Sequence, residues 1–218
     1  MKASKLVLAV GLPALFLASG AMLLTSRDAP AADHLDPPGR TDPLVDPRPD
    51  AAADLADVYA FFDAENVVFA VTFGGPAATN LPAAYDRDVL YTLHLSNDGD
   101  PGTTEFPVRI RFGFDGTRPG VQVTGLPGNV TVQGPVETDL RQNGITVRAG
   151  LFDDPFFFDS QGLRESRQSG TIRFSNQRSF FDSKNITAVI IQMPRSLIQN
   201  GNKRVHIWSQ AGRIGGQL

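Results

Sequence analysis

His34 and Asp36 are the residues whose types and spacing most favour chemistry in this sequence. They are two residues apart in a segment rich in proline and aspartate, so in an extended chain both side chains leave the same side. Asp54 and Asp57 follow, and imidazole nitrogen with carboxylate oxygen can ligate a divalent metal. The alternative is structural: these side chains hydrogen-bond backbone groups and hold an N-terminal arm, with Asp54 capping a short turn.

A second acidic segment surrounds the run Phe156–Phe158, with Asp153 and Asp154 before it and Asp159 after it. If Asp153 or Asp154 meets His34 in space, the two segments complete one site for a divalent cation, the candidate cofactor. The predicted ligand set is His34, Asp36, Asp57, Asp153 and Asp154. In the alternative interpretation, Asp-Asp-Pro forms a turn with outward carboxylates while the phenylalanines fill the end of the core.

Asn97, Asp98 and Asp100 place three oxygen-bearing side chains around Gly99. This pattern is typical of loops that bind calcium weakly at the tips of extracellular β domains, although the distal glutamate of a full EF-hand loop is missing. A plain hairpin turn built from Asn, Asp and Gly is the alternative.

The sequence lacks the motifs of several common catalytic classes. It contains no cysteine, which excludes thiol nucleophiles, zinc–thiolate sites and iron–sulfur clusters. It also has no Gly-x-Ser-x-Gly elbow, no phosphate-binding glycine loop and no His-Glu-x-x-His motif. No catalytic residue is therefore predicted.

Short strands separated by Gly and Pro turns must position these residues. Candidate strands are the segments 66–73, 91–96, 106–114, 121–123, 130–132, 145–149, 172–174, 188–193 and 205–208. Helix is expected only as turns near residues 52–58 and 195–200. The prediction is a mostly β fold, an antiparallel β-sandwich or open barrel with an extended N-terminal arm and little helix.

The segment 106–114 shows the clearest alternation in the chain. Arg109 and Arg111 fall on one face and predict its exposure. The opposite face is predicted to be buried and holds Phe106, Val108, Ile110, Phe112 and Phe114.

The N-terminus predicts export. Lys2 and Lys5 precede an apolar stretch and then Ala29-Pro30-Ala31, the order of a secretory signal, so residues 1–31 are expected to be a cleaved signal peptide. Residues 32–65 are predicted to form the arm and 66–218 a single β domain, periplasmic or extracellular, with a retained N-terminal anchor as the lesser possibility.

Charge argues against two classes of partner. Without residues 1–31 the chain has 17 Lys and Arg against 22 Asp and Glu, a net charge of −5. Such a surface does not attract nucleic acid or an anionic membrane, and no membrane span is expected once the signal is removed. The partner is otherwise unknown.

Three segments together resemble the exported bacterial proteins of the domain of unknown function 4331 family. They are Asp33-His34-Leu35-Asp36-Pro37-Pro38 with 54–61, the segment 149–159 that contains Asp-Asp-Pro-Phe-Phe-Phe-Asp, and the terminal Ile207-Trp208. The resemblance implies an exported domain of unassigned activity, and it transfers no catalytic residue. The resemblance also implies that this chain lacks material after Asp159 that family members often have.

Two functions of different classes are consistent with these observations. The first is a non-catalytic envelope or secreted module that binds a ligand, a partner or a cation through its loops. The alternative is a metal-dependent hydrolase or oxidoreductase that uses His34 and nearby carboxylates. A purely structural surface protein is a third hypothesis, which exposed aromatic patches would favour.

Overall fold

A computed structural model describes residues 37–38 and 49–213 of the chain. Strands dominate the described part: β1 (Leu55–Phe62), β2 (Asn66–Ala78), β3 (Val89–Ser96), β4 (Phe106–Phe114), β5 (Pro119–Leu126), β6 (Val130–Pro135), β7 (Leu140–Gln142), β8 (Ile145–Asp153), β9 (Lys184–Pro194) and β10 (His206–Arg213). One α-helix, α1 (Ser160–Ser169), lies among these residues, with short 3-10 turns at Ala51–Ala53, Pro127–Asn129 and Arg195–Leu197.

The strands form two five-stranded antiparallel sheets with the orders β1-β2-β9-β8-β7 and β10-β3-β4-β5-β6. Phe73 on β2 joins the sheets, since its ring stacks on Tyr91 of β3 at 4.1 Å between centroids and lies 5.8 Å from Phe112 of β4. One apolar core therefore lies between the sheets. The prediction of a mostly β, antiparallel β-sandwich is confirmed.

Strand β4 shows how alternation creates that core. Val108, Ile110 and Phe112 are buried while Arg109 and Arg111 are exposed, as the two-residue period predicts. Phe114 is an exception with 65% of its surface exposed. It lies beside the turn that connects β4 to β5, past the last buried position of the strand, so the expected burial of Phe114 was wrong.

Strand β1 lies inside the stretch 32–65 that the sequence predicts to be an arm. The predicted helical turn near residues 52–58 is a 3-10 turn at Ala51–Ala53, and Leu55–Phe62 then pairs with β2. The pairing register shifts between Leu55 and Val58, a bulge that interrupts the two-residue period. That interruption hides the strand from a search for alternation.

The connection from β8 to β9 departs most from expectation. It contains α1, which was not predicted, and residues 172–174 lie in irregular chain instead of the expected strand. Helix α1 is short and polar, with Gly162 as its buried residue, so it has no apolar stripe at helical spacing. Its remaining sequence signal is Asp159, which caps the helix N-terminus.

Candidate functional site

The structure brings together part of the predicted metal cluster. His34 and Asp36 lie outside the described residues. Tyr59 donates a hydrogen bond from its hydroxyl to Asp57 Oδ2 at 3.0 Å. Desolvation, this hydrogen bond and the negative charges of Asp57 and Asp154 together raise the pKa of Tyr59. Asp57 and Asp154 are therefore near the same tyrosine, although they are far apart in sequence.

The carboxylates at the end of β8 shape a turn. Asp154 accepts a hydrogen bond from the Phe156 N–H at 3.0 Å, and its own N–H donates to the Lys184 carbonyl at 2.9 Å. Asp153 is exposed and pairs with Asn185 across the sheet. Within the described residues, no three or more histidine, aspartate or glutamate side chains are arranged to hold a metal. A site that includes His34 and Asp36 stays a prediction.

The three phenylalanines between these carboxylates do not act together. Phe156 packs edge-on against Phe181 at 5.1 Å between ring centroids, whereas Phe157 has 54% of its surface exposed. The expectation that the whole run fills the end of the core was therefore wrong for Phe157. Its neighbour Phe156 is turned inward by the Asp154 turn, and alternation along the extended chain then directs Phe157 outward.

The turn predicted as a calcium loop is held by its own side chains. Asp98 Oδ1 accepts hydrogen bonds from the Asp100 N–H at 2.8 Å and from the Thr103 hydroxyl at 3.0 Å. Asp100 Oδ1 accepts from the Gly102 N–H, and Asn97 Nδ2 donates to the Ile198 carbonyl. These hydrogen bonds fix the shape of the turn. Calcium binding by Asn97, Asp98 and Asp100 stays a prediction.

His94 is a hydrogen-bonded histidine of the sheet surface. Its Nδ1 lies 3.2 Å from Thr104 Oγ1 and its Nε2 lies 3.0 Å from Gln210 Oε1. The ring also stacks on Trp208 at 4.9 Å between centroids. Both ring nitrogens of His94 therefore have hydrogen-bond partners on the sheet.

Asp159 and Arg178 anchor the connection between β8 and β9. Asp159 is nearly fully buried, and its carboxylate accepts hydrogen bonds from the N–H groups of Gly162 and Ser175, both at 2.8 Å. Arg178 Nη2 lies 2.9 Å from the same carboxylate. Desolvation would raise the pKa of Asp159, but these hydrogen bonds and the Arg178 charge outweigh it, so the pKa is lowered.

The lowered pKa predicts an acid-sensitive anchor. A carboxyl whose pKa is lower in the folded state contributes stability above its unfolded value, here near 3.8, and loses it as the pH falls through the folded pKa. We expect Asp159→Asn to lower the melting temperature clearly at pH 6, and we expect this difference to shrink as the pH falls below 3.8 toward the folded-state pKa. Thermal melts of both proteins from pH 6 to pH 3 measure this difference. The control is Asp88→Asn, at an exposed ion pair, whose melting temperature should differ little from that of the wild type at every pH. A lowering of the melting temperature by Asp159→Asn that is the same at every pH would contradict the prediction.

An open cleft between edge strands is the strongest candidate site in the described chain. It has a volume of about 700 Å³ and lies where β1 and β2 approach the chain that leads into β10. Its floor contains the buried side chains of Val67, Phe69 and Ile198. Phe62, with 77% of its surface exposed, stands at the rim. Ligand sites are commonly clefts of 300 to 1,000 Å³ with apolar walls, so this one has the expected size and lining.

The ionisable side chains among the described lining residues are those of Arg195, Lys203, Arg204 and His206. Arg195 is fixed at the rim: its guanidinium lies over the Phe62 ring, 5.2 Å from the centroid, and its Nη1 donates to the Asp63 carbonyl at 2.9 Å.

Two carboxylates lie near these cations. Hydrogen bonds from the N–H groups of Asn66 and Glu65 lower the pKa of Asp63, and the charge of Arg195 contributes. A hydrogen bond from the Asp100 N–H lowers the pKa of Asp98, and the charge of Lys203 contributes. The lining itself combines an apolar floor with positive charge.

Sequence reasoning missed this cleft. Its lining comes from two distant parts of the chain, 60–69 and 195–207, which only the sheet topology brings together. The one available signal was the basic segment Lys203-Arg204, which stands out in an acidic protein and directly precedes a predicted strand.

Two further findings concern membrane-spanning helices and the similarity of the chain to known proteins. Among the described residues, no helix has the length and apolar character needed to cross a membrane. No family model, curated protein or solved structure matches the chain, so the resemblance to the domain of unknown function 4331 family stays a prediction.

Proposed function

We propose that this protein is an exported, non-catalytic binding module whose ligand is an amphipathic anion, held in the cleft between β1 and β10. The single observation that carries the proposal is the composition of the cleft, an apolar floor whose described ionisable neighbours are three cations and a histidine. The class of ligand is an apolar chain or ring system that ends in a carboxylate, sulfonate or phosphate.

The apolar floor accounts for the body of the ligand. Val67, Phe69 and Ile198 are nearly removed from solvent, so exposed apolar surface in the lining comes from residues such as Phe62 and Val205, which have 77% and 38% of their surfaces exposed. Covering the exposed apolar surface of these side chains and of the ligand removes that area from water, which contributes about 25 cal/mol per Å². A chain of several methylene groups along this floor would therefore supply most of the affinity.

The basic rim accounts for the charge of the head group. Arg204 is exposed beside the cleft, and Lys203 packs its aliphatic stem against the Gly99 turn. A carboxylate or phosphate near these groups forms charge-assisted hydrogen bonds, the stronger kind in proteins. The whole chain is acidic, with a net charge of −3, and therefore repels anions in general. The positive charge at the rim attracts an anion to the cleft in spite of this net charge.

Binding is favoured over catalysis by the chemistry of the lining. Cations and apolar side chains hold a ligand, but the described lining residues do not present a nucleophile paired with a base. The metal-dependent enzyme that uses His34 rests on a different part of the chain and stays an alternative prediction.

Two probes that differ in the head group test the proposal. Dodecanoate and dodecyltrimethylammonium carry similar apolar chains with opposite charges, and isothermal titration below their micellar concentrations measures their binding. We expect the protein to bind dodecanoate and to bind the cation at least tenfold more weakly, because the rim is positive. Equal affinity for both probes, or no binding of dodecanoate, would overturn the proposal.

A double variant locates the site. Lys203→Gln with Arg204→Gln removes two rim charges and should weaken dodecanoate binding by about tenfold or more, corresponding to roughly 1.4 kcal/mol. Arg87→Gln is the matched control, because Arg87 is highly exposed and outside the cleft lining. Both variants should melt close to the wild-type temperature. An unchanged affinity in the double variant would place the ligand elsewhere.

A further inference from the structure

A depression opens on the outer face of the second sheet, where β4, β5 and β6 are neighbours. Its volume of about 600 Å³ is within the range of ligand sites. It is lined by residues of the two central strands of this end of the sheet and of the turn between them, among them Arg111, Gly113, Arg118, Gly120 and Gln122. We call the surface that these five residues line the sheet depression.

A pair of glycines keeps the floor of the sheet depression open. Gly113 of β4 is directly opposite Gly120 of β5, on the face that also holds the pair Arg111 and Gln122. A Cβ atom at Gly113 would meet no atom within 4 Å, and the φ angle of Gly113 is outside the left-handed region. Neither packing nor the backbone therefore requires glycine there, although glycine destabilises a strand relative to alanine. A glycine in a strand often marks a place where a ligand approaches the backbone closely.

The ionisable side chains among the described lining residues are two arginines and one aspartate, which gives a local net charge of 2 − 1 = +1. The Arg111 guanidinium has no hydrogen bond or ion pair with the described part of the chain. Asp115 Oδ1 accepts hydrogen bonds from the N–H groups of Arg118 at 2.7 Å and Thr117 at 2.8 Å. These bonds lower the pKa of Asp115, and the charge of Arg118 contributes.

Two carboxylates of the adjoining segments are paired with other cations. Asp88, which precedes β3, forms an ion pair with Arg87 at 3.3 Å. Glu137, which follows β6, lies 3.8 Å from Arg148 of β8. Neither carboxylate is among the described residues that line the sheet depression. The positive charge of the depression therefore contrasts with the net charge of −3 on the whole chain.

Two glutamines supply neutral hydrogen-bonding groups beside Arg111. Gln122 Nε2 donates to Gln133 Oε1 at 2.8 Å, and both residues line the sheet depression. Their other amide atoms are an acceptor, Gln122 Oε1, and a donor, Gln133 Nε2, which are the two kinds of partner that a hydroxyl group uses. Phe114, with 65% of its surface exposed, also lines the depression and adds an apolar surface. The lining thus combines groups for an anion, for hydroxyls and for C–H groups.

We propose that the sheet depression binds an acidic saccharide, a short chain of sugar rings that carry carboxylate groups. A ring placed flat over Gly113 and Gly120 has room because these residues have no side chains. Its carboxylate pairs with an arginine in a charge-assisted hydrogen bond, and its hydroxyls meet the glutamines. Nucleic acid would need an extended basic surface, whereas this positive charge is local. The site uses other strands than the cleft and does not depend on the ligand proposed there.

Three probes that differ in one chemical property each test this proposal. Trigalacturonate carries a carboxylate on each of its sugar rings, its methyl ester has the same rings without charge, and acetylated, amidated triglutamate carries carboxylates on a peptide. Isothermal titration of the full chain measures their binding in a buffer with EDTA, because calcium binds carboxylates. We expect trigalacturonate to bind, and the other two probes to bind more weakly by about tenfold or more.

Filling the floor tests where the saccharide binds. Gly113→Val adds a β-branched side chain, which strands favour, in open space, so the fold should be kept. The same side chain occupies the floor and should weaken trigalacturonate binding by about tenfold or more. The control is Gly212→Val in β10, on the same face at the other edge of the sheet, where a Cβ atom also meets no atom within 4 Å. It should leave the affinity unchanged, and melting temperatures verify the fold of both variants.

Removing the positive charge is a second test. Arg111→Gln with Arg118→Gln should weaken trigalacturonate binding by about tenfold or more, because charge-assisted hydrogen bonds are lost. The control Arg164→Gln with Arg173→Gln removes two exposed arginines that do not line the depression, and it should keep the wild-type affinity.

The proposal would be overturned by no binding of trigalacturonate or by equal binding of its methyl ester. Equal binding of triglutamate would also overturn it and would assign the depression to acidic peptides. Wild-type affinity in a folded Gly113→Val variant or in the Arg111→Gln, Arg118→Gln variant would place the saccharide elsewhere on the protein. Dodecanoate reports on the cleft alone, so failure of the saccharide proposal is distinguishable from failure of the proposed function.

Discussion

Replacing Arg213 with methionine is expected to destabilise the protein by about 3 to 5 kcal/mol, because it removes one partner of a buried ion pair. Arg213 has 6% of its side-chain surface exposed, and its Nη2 lies 2.6 Å from Asp50 Oδ1 and 2.8 Å from Asp86 Oδ2. Hydrogen bonding to Asp50, opposed by desolvation and assisted by Asp86, raises the pKa of Arg213, so the guanidinium stays charged. Without it, the buried Asp50 carboxylate has lost its cation.

The loss of unfolding free energy is expected to be large because Arg213 also connects distant parts of the chain. It belongs to the last described strand, β10, and Asp50 precedes β1. Nearby, Tyr91 of β3 donates a hydrogen bond to the Ala52 carbonyl, so two neighbouring strands of the second sheet, β10 and β3, hold this region of the chain. Loss of the ion pair should therefore loosen the start of β1 from the edge strand β10.

Urea unfolding, followed by circular dichroism, measures the loss. The matched control is Arg87→Met at the ion pair with Asp88, whose side chains are 81% and 52% exposed. An exposed pair contributes about 0 to 1 kcal/mol, so this variant should resemble the wild type. Equal unfolding free energies for the two variants would show that burial does not decide the strength of the Arg213 contacts.

Replacing Ile110 with aspartate is expected to unfold the protein. Ile110 has 0% of its surface exposed and lies in the central strand of the second sheet, between β3 and β5. An ionised carboxylate at this position would have no water and no cation, which costs several kcal/mol in addition to the lost apolar contacts. That sum approaches the 5 to 15 kcal/mol by which folded domains are usually stable.

The neighbouring residue supplies the control. Arg111 is exposed on the opposite face of the same strand, so Arg111→Ser should change the unfolding free energy by less than about 0.5 kcal/mol. Near-ultraviolet circular dichroism and thermal melts compare the two variants at matched concentration. A cooperative melt of Ile110→Asp near the wild-type temperature would contradict the burial of this face.

The candidate metal ligands show which part of a site can be predicted from residue types alone. The sequence pattern grouped Asp57 with Asp153 and Asp154, and the structure does place Asp57 and Asp154 near the same residue, Tyr59. Tyr59 itself was not recognised, because a tyrosine within an unrecognised strand gives no signal of its own. The clusters were visible because acidic residues are dense there, but their hydrogen bonds depend on how β1 and β8 join the sheet.

The sequence by itself determined the class of the fold and the faces of its clearest strands. Alternation along β4 and the Gly, Pro, Asn and Asp turns are local properties, since each residue faces the core or the solvent according to its nearest neighbours in the strand. Only the tertiary structure decided that β1 and β10 border the cleft and that Asp50 forms an ion pair with Arg213. It also decided that the connection after β8 exposes Phe157 and Phe174. These features join residues that are far apart in the chain, and their energy depends on long-range pairing that no local period encodes.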